Sequence, residues 1–322
     1  MPSPTPSPAP RAGGSAMTPP IVAVVGATAA GKSELALDLA ERLGGEIVNT
    51  DAMAVYRGMD VGTAKTPESQ RRGVPHHLLD LLDVTEPLTV AEFQGRARAT
   101  VVELRARGIT PVLVGGSALY TRAVLDRFEF PGTDAGVRRE LEAELAEVGS
   151  VALHARLAEV DPEAAAQILP DNGRRVVRAL EVVRITGRPF GATLPAHEYA
   201  DPASVQVGVD IDRPTLDERI AVRVREMFDA GFVDEVRRLL AVGLRESRTA
   251  RTAIGYREVA AYLDGDTTLE QAVEATAAAT RRFARRQDSW FRKDPRIAWV
   301  RYDDPDRVDR AVAAVEAVTL GG

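Results

Sequence analysis

The stretch Gly26-Ala27-Thr28-Ala29-Ala30-Gly31-Lys32-Ser33 fits G-x-x-x-x-G-K-[ST], and its surroundings limit the fold more than any other feature of the chain. The apolar run Ile21-Val22-Ala23-Val24-Val25 before it reads as a buried parallel strand. Residues 34–43 after it have the apolar spacing of an amphipathic helix and stop at Gly44-Gly45. In a strand, loop and helix of this order, the loop's N–H groups and the helix N-terminus face an anion. Lys32 adds a positive charge, and the Ser33 hydroxyl can hold Mg²⁺. The expected occupant is a di- or triphosphate.

A second strand over residues 46–49 ends at Thr50-Asp51. In open α/β sheets the ligand crevice borders the carboxyl ends of the strands, so Asp51 lies where it can face the occupant of the loop. The glycine-rich run from Met53 to Lys65 lacks regular periodicity and reads as a ligand-facing loop. His76-His77 has no third ligand nearby, which favours a packing role over metal binding. Residues 89–107 read as a helix, and residues 110–114 as a buried strand ending in Gly115-Gly116-Ser117. An NTPase would normally place a Mg²⁺-holding Asp near that strand end. Here the backbone is bare and a hydroxyl follows, which weakens an ATPase reading.

From residue 134 to 199 the pattern turns helical and charged, with candidate helices over 137–148, 151–157, 162–168 and 174–186. Arg174, Arg175 and Arg178 are expected on one side of the last. A strand resumes over 205–211, and Thr215 is expected to cap a helix over 216–230 that puts Arg219 and Arg223 on one face. A further helix starts within residues 252–258. Residues 280–293 interleave Arg285 and Arg286 with Phe283, Trp290 and Phe291 on a helix, as suits nucleic-acid backbones and stacked bases. The expectation is an α/β fold: a P-loop NTPase-like parallel sheet flanked by helices, residues 20–133 and 200–322, with an all-helical insertion domain over 134–199.

Composition narrows the function. A net charge of −6 gives no global attraction to nucleic acid, so any such binding needs local basic patches. The absence of cysteine removes disulfides, thiol catalysis and Cys-ligated zinc. No apolar run approaches the ~18 residues of a membrane span. The Pro/Ser-rich residues 1–19 read as a disordered tail in which Met17 is an alternative start. A cytoplasmic monomer is expected.

Taken in order, Gly26–Ser33, Asp51-Ala52-Met53-Ala54-Val55-Tyr56, the run from Arg57 to Lys65, Pro75-His76-His77-Leu78-Leu79-Asp80, Gly115-Gly116-Ser117, Ala253-Ile254-Gly255-Tyr256 and the segment from Arg285 to Phe291 resemble the tRNA dimethylallyltransferase family. The resemblance spans about residues 20 to 300. It implies that the loop holds the diphosphate of dimethylallyl diphosphate, with Lys32 and Mg²⁺-bearing Ser33 on its oxygens and Arg219 and Arg223 nearby. It makes Asp51 the base for the exocyclic amine of adenosine 37 in tRNA, with Ser117 at the position of a family threonine. Asp51, Ala52, Met53, Ala54 and Ser117 become candidate contacts to the anticodon stem-loop. So do Arg138, Arg174, Arg175 and Arg178 of the insertion, and Arg285 and Arg286. The chain departs from the family at Ala52 and Ala54, where Ser and Gln are usual, and at Ser117.

The residue types suit alkyl transfer. Negative charge grows on the leaving diphosphate, where preorganised donors and cations stabilise the transition state. A carboxylate can take the amine proton. The loop and Asp51 would serve a nucleoside kinase equally well, with Asp51 deprotonating a hydroxyl. An adenylate isopentenyltransferase and a non-catalytic RNA-binding module are the other readings; the insertion argues against the former, and the intact Lys32, Ser33 and Asp51 against the latter.

Overall fold

Six parallel strands and the helices between them form the body of the molecule, a computed structural model describing residues 18–127, 130–190 and 197–320. Most of the expected tail, residues 1–17, lies outside the described residues. In chain order the elements are β1 (Ile21–Val25), α1 (Lys32–Leu43), β2 (Gly45–Asn49), β3 (His76–His77), α2 (Val90–Ala106), β4 (Thr110–Val114) and α3 (Ala118–Leu125). There follow α4 (Ala135–Val160), α5 (Pro162–Gln167), α6 (Gly173–Thr186), β5 (Ser204–Asp210), α7 (Arg213–Asp229) and α8 (Phe232–Ala241). The chain ends with α9 (Tyr256–Leu263), α10 (Leu269–Phe291), β6 (Ile297–Arg301) and α11 (Arg307–Leu320). The sheet order is β3-β2-β4-β1-β5-β6.

The period of two along β1 divides its side chains between two cores. Ala23 and Val25 join the large cluster with Phe93, Leu113, Phe232 and Tyr256. Val22 and Val24 join Leu35, Leu39, Val112, Val207 and Val315 on the other face. Both faces are covered, so the strands read as continuous apolar runs without alternation. Because β4 lies between β1 and β2, the chain leaves β1 on one side and returns past it. The crevice at the carboxyl ends of β1, β2 and β4 is where such sheets bind ligands.

Local chemistry sets several boundaries. Thr89 and Glu92 form a reciprocal cap at the start of α2, with N–H bonds of 3.2 and 2.9 Å. The cap of α7 is Asp212, which accepts the Thr215 N–H at 3.0 Å; the expected cap, Thr215, lies inside the helix. Asp212 is free to take that place because Pro214 sits in the first turn, where a missing N–H costs nothing. The break expected at Gly149 between helices over 137–148 and 151–157 is present: Gly149 takes φ 80° and ψ 166°, a non-helical conformation that only glycine adopts readily, and divides α4 in two. α4, α5 and α6 pack on one another through Leu141, Leu153, Leu157, Val176 and Leu180, a cluster separate from the sheet's two cores. The sequence pattern missed α3, α8, α11, β6 and the two-residue edge strand β3. Within β6 only Ile297 and Val300 are buried, which leaves no alternation to read.

Candidate active site

The phosphate loop leaves β1 through Gly26, whose φ is 134° and whose missing Cβ would sit 3.1 Å from the Val209 carbonyl. Ala29 and Gly31 also take left-handed conformations, at φ 64° and 104°. α1 begins at Lys32 with no side chain capping it, so its first N–H groups stay available to an anion. The Lys32 ammonium folds back onto the Ala27 carbonyl at 2.7 Å. Burial pushes its pKa down to about 7; the Arg223 charge adds to this and Asp51 opposes it. From α7, Arg219 stacks on Tyr302 at 4.6 Å and reaches the Ala30 carbonyl at 3.5 Å. Arg223 is half-buried, and that burial lowers its pKa. Among the described residues, none of Lys32, Arg219 and Arg223 has a carboxylate within ion-pair distance. The exposed Ser33 hydroxyl makes no hydrogen bond among them either. Three cations and a helix end therefore converge on a cleft with no carboxylate paired to them, although Asp51 and Glu226 lie near enough to favour the charged forms of Lys32 and Arg223.

Asp51 stands at the end of β2, held by its neighbours. Its N–H donates to Asn49 Oδ1 at 2.9 Å, its carbonyl accepts from Asn49 Nδ2 at 3.0 Å, and its Oδ1 accepts the Met53 N–H at 2.8 Å. Oδ2 makes no hydrogen bond among the described residues. Behind it, Gly115 lies so close to Thr50 that a Cβ would fall 2.3 Å from Thr50 Oγ1. Asp51, Thr28, Lys32, Ser33, Arg223, Gly115, Gly116, Phe283 and Gln287 line one cavity of about 130 Å³, with Ile47, Ala54 and Leu79 among its apolar walls. It shares Lys32, Ser33 and Arg223 with a larger cleft of about 1430 Å³, which also includes Arg219. Ser117 begins α3 half-buried, its hydroxyl making no cap bond, and is not part of the cavity wall.

The loop from Arg57 to Lys65 is pinned from beneath. Glu235 of α8 is buried, and its carboxylate accepts the N–H groups of Asp60, Val61 and Gly62 at 3.1, 2.7 and 3.1 Å and the Tyr256 hydroxyl at 2.7 Å. Lys65 bridges Asp60 and Asp80, each at 2.6 Å. His77 bonds Glu46 at 2.6 Å and His76 the Val74 carbonyl at 2.9 Å.

Residues 54–294 match the model of the IPP transferase family. This chain belongs to the IPP transferase family. It is 72% identical to the tRNA dimethylallyltransferase of Nocardioides sp. over 303 residues, covering 94% of this chain and 97% of that one. Among solved structures it resembles the full-length tRNA isopentenylpyrophosphate transferase of Bacillus halodurans, with a TM-score of 0.68, 39% identity, and coverage of 94% and 98%. A eukaryotic dimethylallyltransferase acting on tRNA gives a TM-score of 0.76 over 91% of this chain and 76% of its own; at 24% identity that likeness speaks to the fold. The kinase reading that the loop and Asp51 leave open is thereby removed.

In this IPP transferase the other candidate residues divide. Arg174 and Arg175 at the start of α6 are exposed, whereas Arg178 turns inward. It donates to the carbonyls of Pro131 and Gly132 at 2.6 and 3.1 Å and to Glu181 at 2.8 Å, so the three do not share one solvent face. Arg138 also pairs with Glu181. Glu181 is fully buried, which pushes its pKa up, but the two guanidinium groups outweigh this and hold it below the usual range. Arg285 and Arg286 are exposed on α10. Ala52 and Met53 pack on the main core, and Ala54 is buried.

Sequence reasoning missed Gln287 and Glu235, and gave Phe283 to stacked bases without placing it in this cavity. Gln287 bonds both the phosphate loop and the loop after β4, Phe283 lines the cavity, and Glu235 holds the 57–65 loop. Gln287 and Phe283 lay inside the basic-aromatic segment, where the arginines drew attention. Glu235 stands among the charged residues of an unrecognised helix, and only its burial reveals it.

Proposed function

We propose that this chain transfers the dimethylallyl group of dimethylallyl diphosphate to the N6 amine of adenosine 37, beside the anticodon of tRNAs that read codons starting with U, and releases diphosphate. One observation carries the reading: unpaired cations and a helix end face, across one small cavity with apolar walls, a carboxylate with a free oxygen. The loop N–H groups, Lys32, Arg219 and Arg223 bind the diphosphate. Ile47, Ala54, Leu79 and Phe283 offer the C5 group an apolar surface. The adenine nitrogen attacks C1 as the bond from C1 to the bridging oxygen breaks, and that electron pair leaves on diphosphate. Asp51 takes the amine proton, its carboxylate held by the Met53 N–H and its backbone by Asn49.

No cluster of three His, Cys, Asp or Glu side chains able to hold a metal occurs among the described residues. Mg²⁺ would rest on the Ser33 hydroxyl and diphosphate oxygens, a set of hard oxygens that suits it. When bound, it supplies further positive charge at the leaving group.

The target base leaves its stack to reach the cavity. Arg174, Arg175, Arg285 and Arg286, exposed and without carboxylate partners among the described residues, are the groups proposed for the anticodon stem-loop. Ser117 lies beside the cavity with a hydroxyl available to nucleotide or leaving group. Among the described residues no helix is long and apolar enough to cross a membrane. A cytoplasmic monomer acting on tRNA fits this reading.

The deciding experiment incubates the protein with unmodified tRNA, dimethylallyl diphosphate and Mg²⁺ and analyses the nucleosides by mass. One C5 unit on adenosine is expected, reduced at least ~10²-fold by Asp51→Ala. Transfer to free AMP and not to tRNA would overturn the substrate, and loss of less than threefold would remove Asp51 as the base.

A further inference from the structure

Gln287 is buried on α10 and joins two loops that the sequence keeps far apart. Its Oε1 accepts the Thr28 N–H at 2.8 Å, and its Nε2 donates to the Gly116 carbonyl at 2.7 Å. A backbone N–H only donates and a carbonyl only accepts, so one orientation of the amide satisfies both. A charged side chain of similar length does only one of the two, since an ionised glutamate only accepts and a lysine ammonium only donates. The fit is tight from the other side as well, since a Cβ on Gly116 would lie 2.1 Å from Nε2. Thr28 belongs to the loop that faces the diphosphate. Gly116 follows Gly115, which packs directly on Thr50, the residue before Asp51. One side-chain amide thus ties the donor side of the cavity to the acceptor side.

We infer that Gln287 is a positioning residue: it holds the phosphate loop and the Gly115-Gly116-Ser117 loop at one separation, so that C1 of the donor and the acceptor amine meet in line. This rests on the proposed prenyl transfer. Gln287 itself touches neither reacting atom. A misplacement of about 1 Å is enough to cost some hundredfold in rate while each substrate still binds. A donor left misaligned also becomes open to water. In that side reaction a water oxygen forms the bond to C1, the bond to diphosphate breaks with its electron pair on the leaving oxygen, and the surplus proton goes to solvent. The products are dimethylallyl alcohol and diphosphate.

The test measures two products, prenylated tRNA and dimethylallyl alcohol, in wild type and in Gln287→Met, which keeps the volume and removes both bonds. Expected are a fall in kcat of about a hundredfold, KM values for both substrates within about threefold, and a rise in the ratio of alcohol to prenylated tRNA of at least about tenfold. A merely structural role would lower the active fraction and leave that ratio unchanged. Should Gln287→Met fail to fold, Gly116→Ala reads the same ratio with Gln287 present, because the added methyl drives the amide out of place. Placing Gly116→Ala in a Gln287→Ala background removes that clash and should worsen the ratio little beyond Gln287→Ala alone. An unchanged ratio and kcat in a folded Gln287→Met, or in Gly116→Ala, overturns the inference. A wild type that transfers nothing to tRNA overturns instead the proposed function on which it stands.

Discussion

The two ends of the sheet treat positive charge in opposite ways. At the amino-terminal ends of the strands Arg296 lies between Asp294 and Asp126, at 2.7 and 2.8 Å, and stacks on Tyr199 at 4.0 Å. Arg122 adds a second bond to Asp126 at 2.7 Å, Arg98 reaches the Asp126 carbonyl at 2.6 Å, and Arg105 pairs with Asp201. Every one of these cations has an oxygen partner, and the partners Asp126 and Asp294 are buried. At the carboxyl-terminal ends Lys32 and Arg219 reach only loop carbonyls, and among the described residues neither they nor Arg223 has a carboxylate within ion-pair distance; burial pushes Lys32 and Arg223 toward the neutral form. Desolvated charge is costly unless compensated. Where the fold supplies the counter-charge the cations are structural; where it withholds it, the set is open to the anionic ligand proposed above. The insertion repeats the contrast on a smaller scale, with Arg138 and Arg178 closed on Glu181 and Arg174 and Arg175 left open.

The contrast breaks most readily at Lys32. Lys32→Met should cost about 10²–10³ in transfer rate, as loss of one preorganised donor does, while thermal stability holds or rises because an unpaired charge has gone. A marked fall in melting temperature would mean that Lys32 is structural like Arg296. The mirror experiment is Arg296→Met, which removes the shared cation of Asp126 and Asp294 and leaves buried Asp294 with the neutral Gln206 amide and Asp126 with Arg122. Urea unfolding should show a loss of about 3–5 kcal/mol, with unchanged transfer per folded molecule. A smaller effect comes from pH. Burial pushes the Asp294 carboxyl up, but the bonds from Arg296 and Gln206 outweigh this and hold its pKa at about 2. A depressed carboxyl contributes its full stabilisation above its unfolded pKa, near 4, and loses it as pH falls toward 2. Unfolding between pH 5 and 2 should therefore show about 2 kcal/mol of acid-side loss that Asp294→Asn lacks. Smallest is the pair Arg175→Ala and Arg178→Ala. The first should weaken tRNA binding and flatten its log–log salt dependence by roughly one unit without affecting stability; the second should destabilise the insertion and leave the slope nearly intact. Equal slopes in both would dissolve the distinction between open and closed arginines.

Much of the frame was readable because it is encoded locally. The apolar run 21–25, the loop glycines and the helix after them lie within one short span, so period and turn chemistry suffice. The break at Gly149 and the reciprocal cap at Thr89 follow from neighbours one to three residues away. The Thr215 cap was misplaced because two capping residues stand three apart, and the chain used the one before the proline. Asp51 and Lys32 could be named from motif and position.

Pattern alone could not sort the arginines, for a guanidinium looks the same in sequence whether or not a buried carboxylate faces it. Arg174, Arg175 and Arg178 lie within one helical turn and a half, yet Arg178 alone meets Glu181 and the carbonyls of residues 131 and 132. Glu235 could be known as a buried anchor only once three N–H groups from residues 60–62 closed on it. Gln287 lies 259 positions from Thr28 and 171 from Gly116, and its amide acquires meaning only when the sheet brings both within 3 Å. Helices, turns and the phosphate loop arise from neighbours along the chain, which act before folding is complete. Charge pairing and the separation of the two reactive sides arise from neighbours in space, which exist only after it.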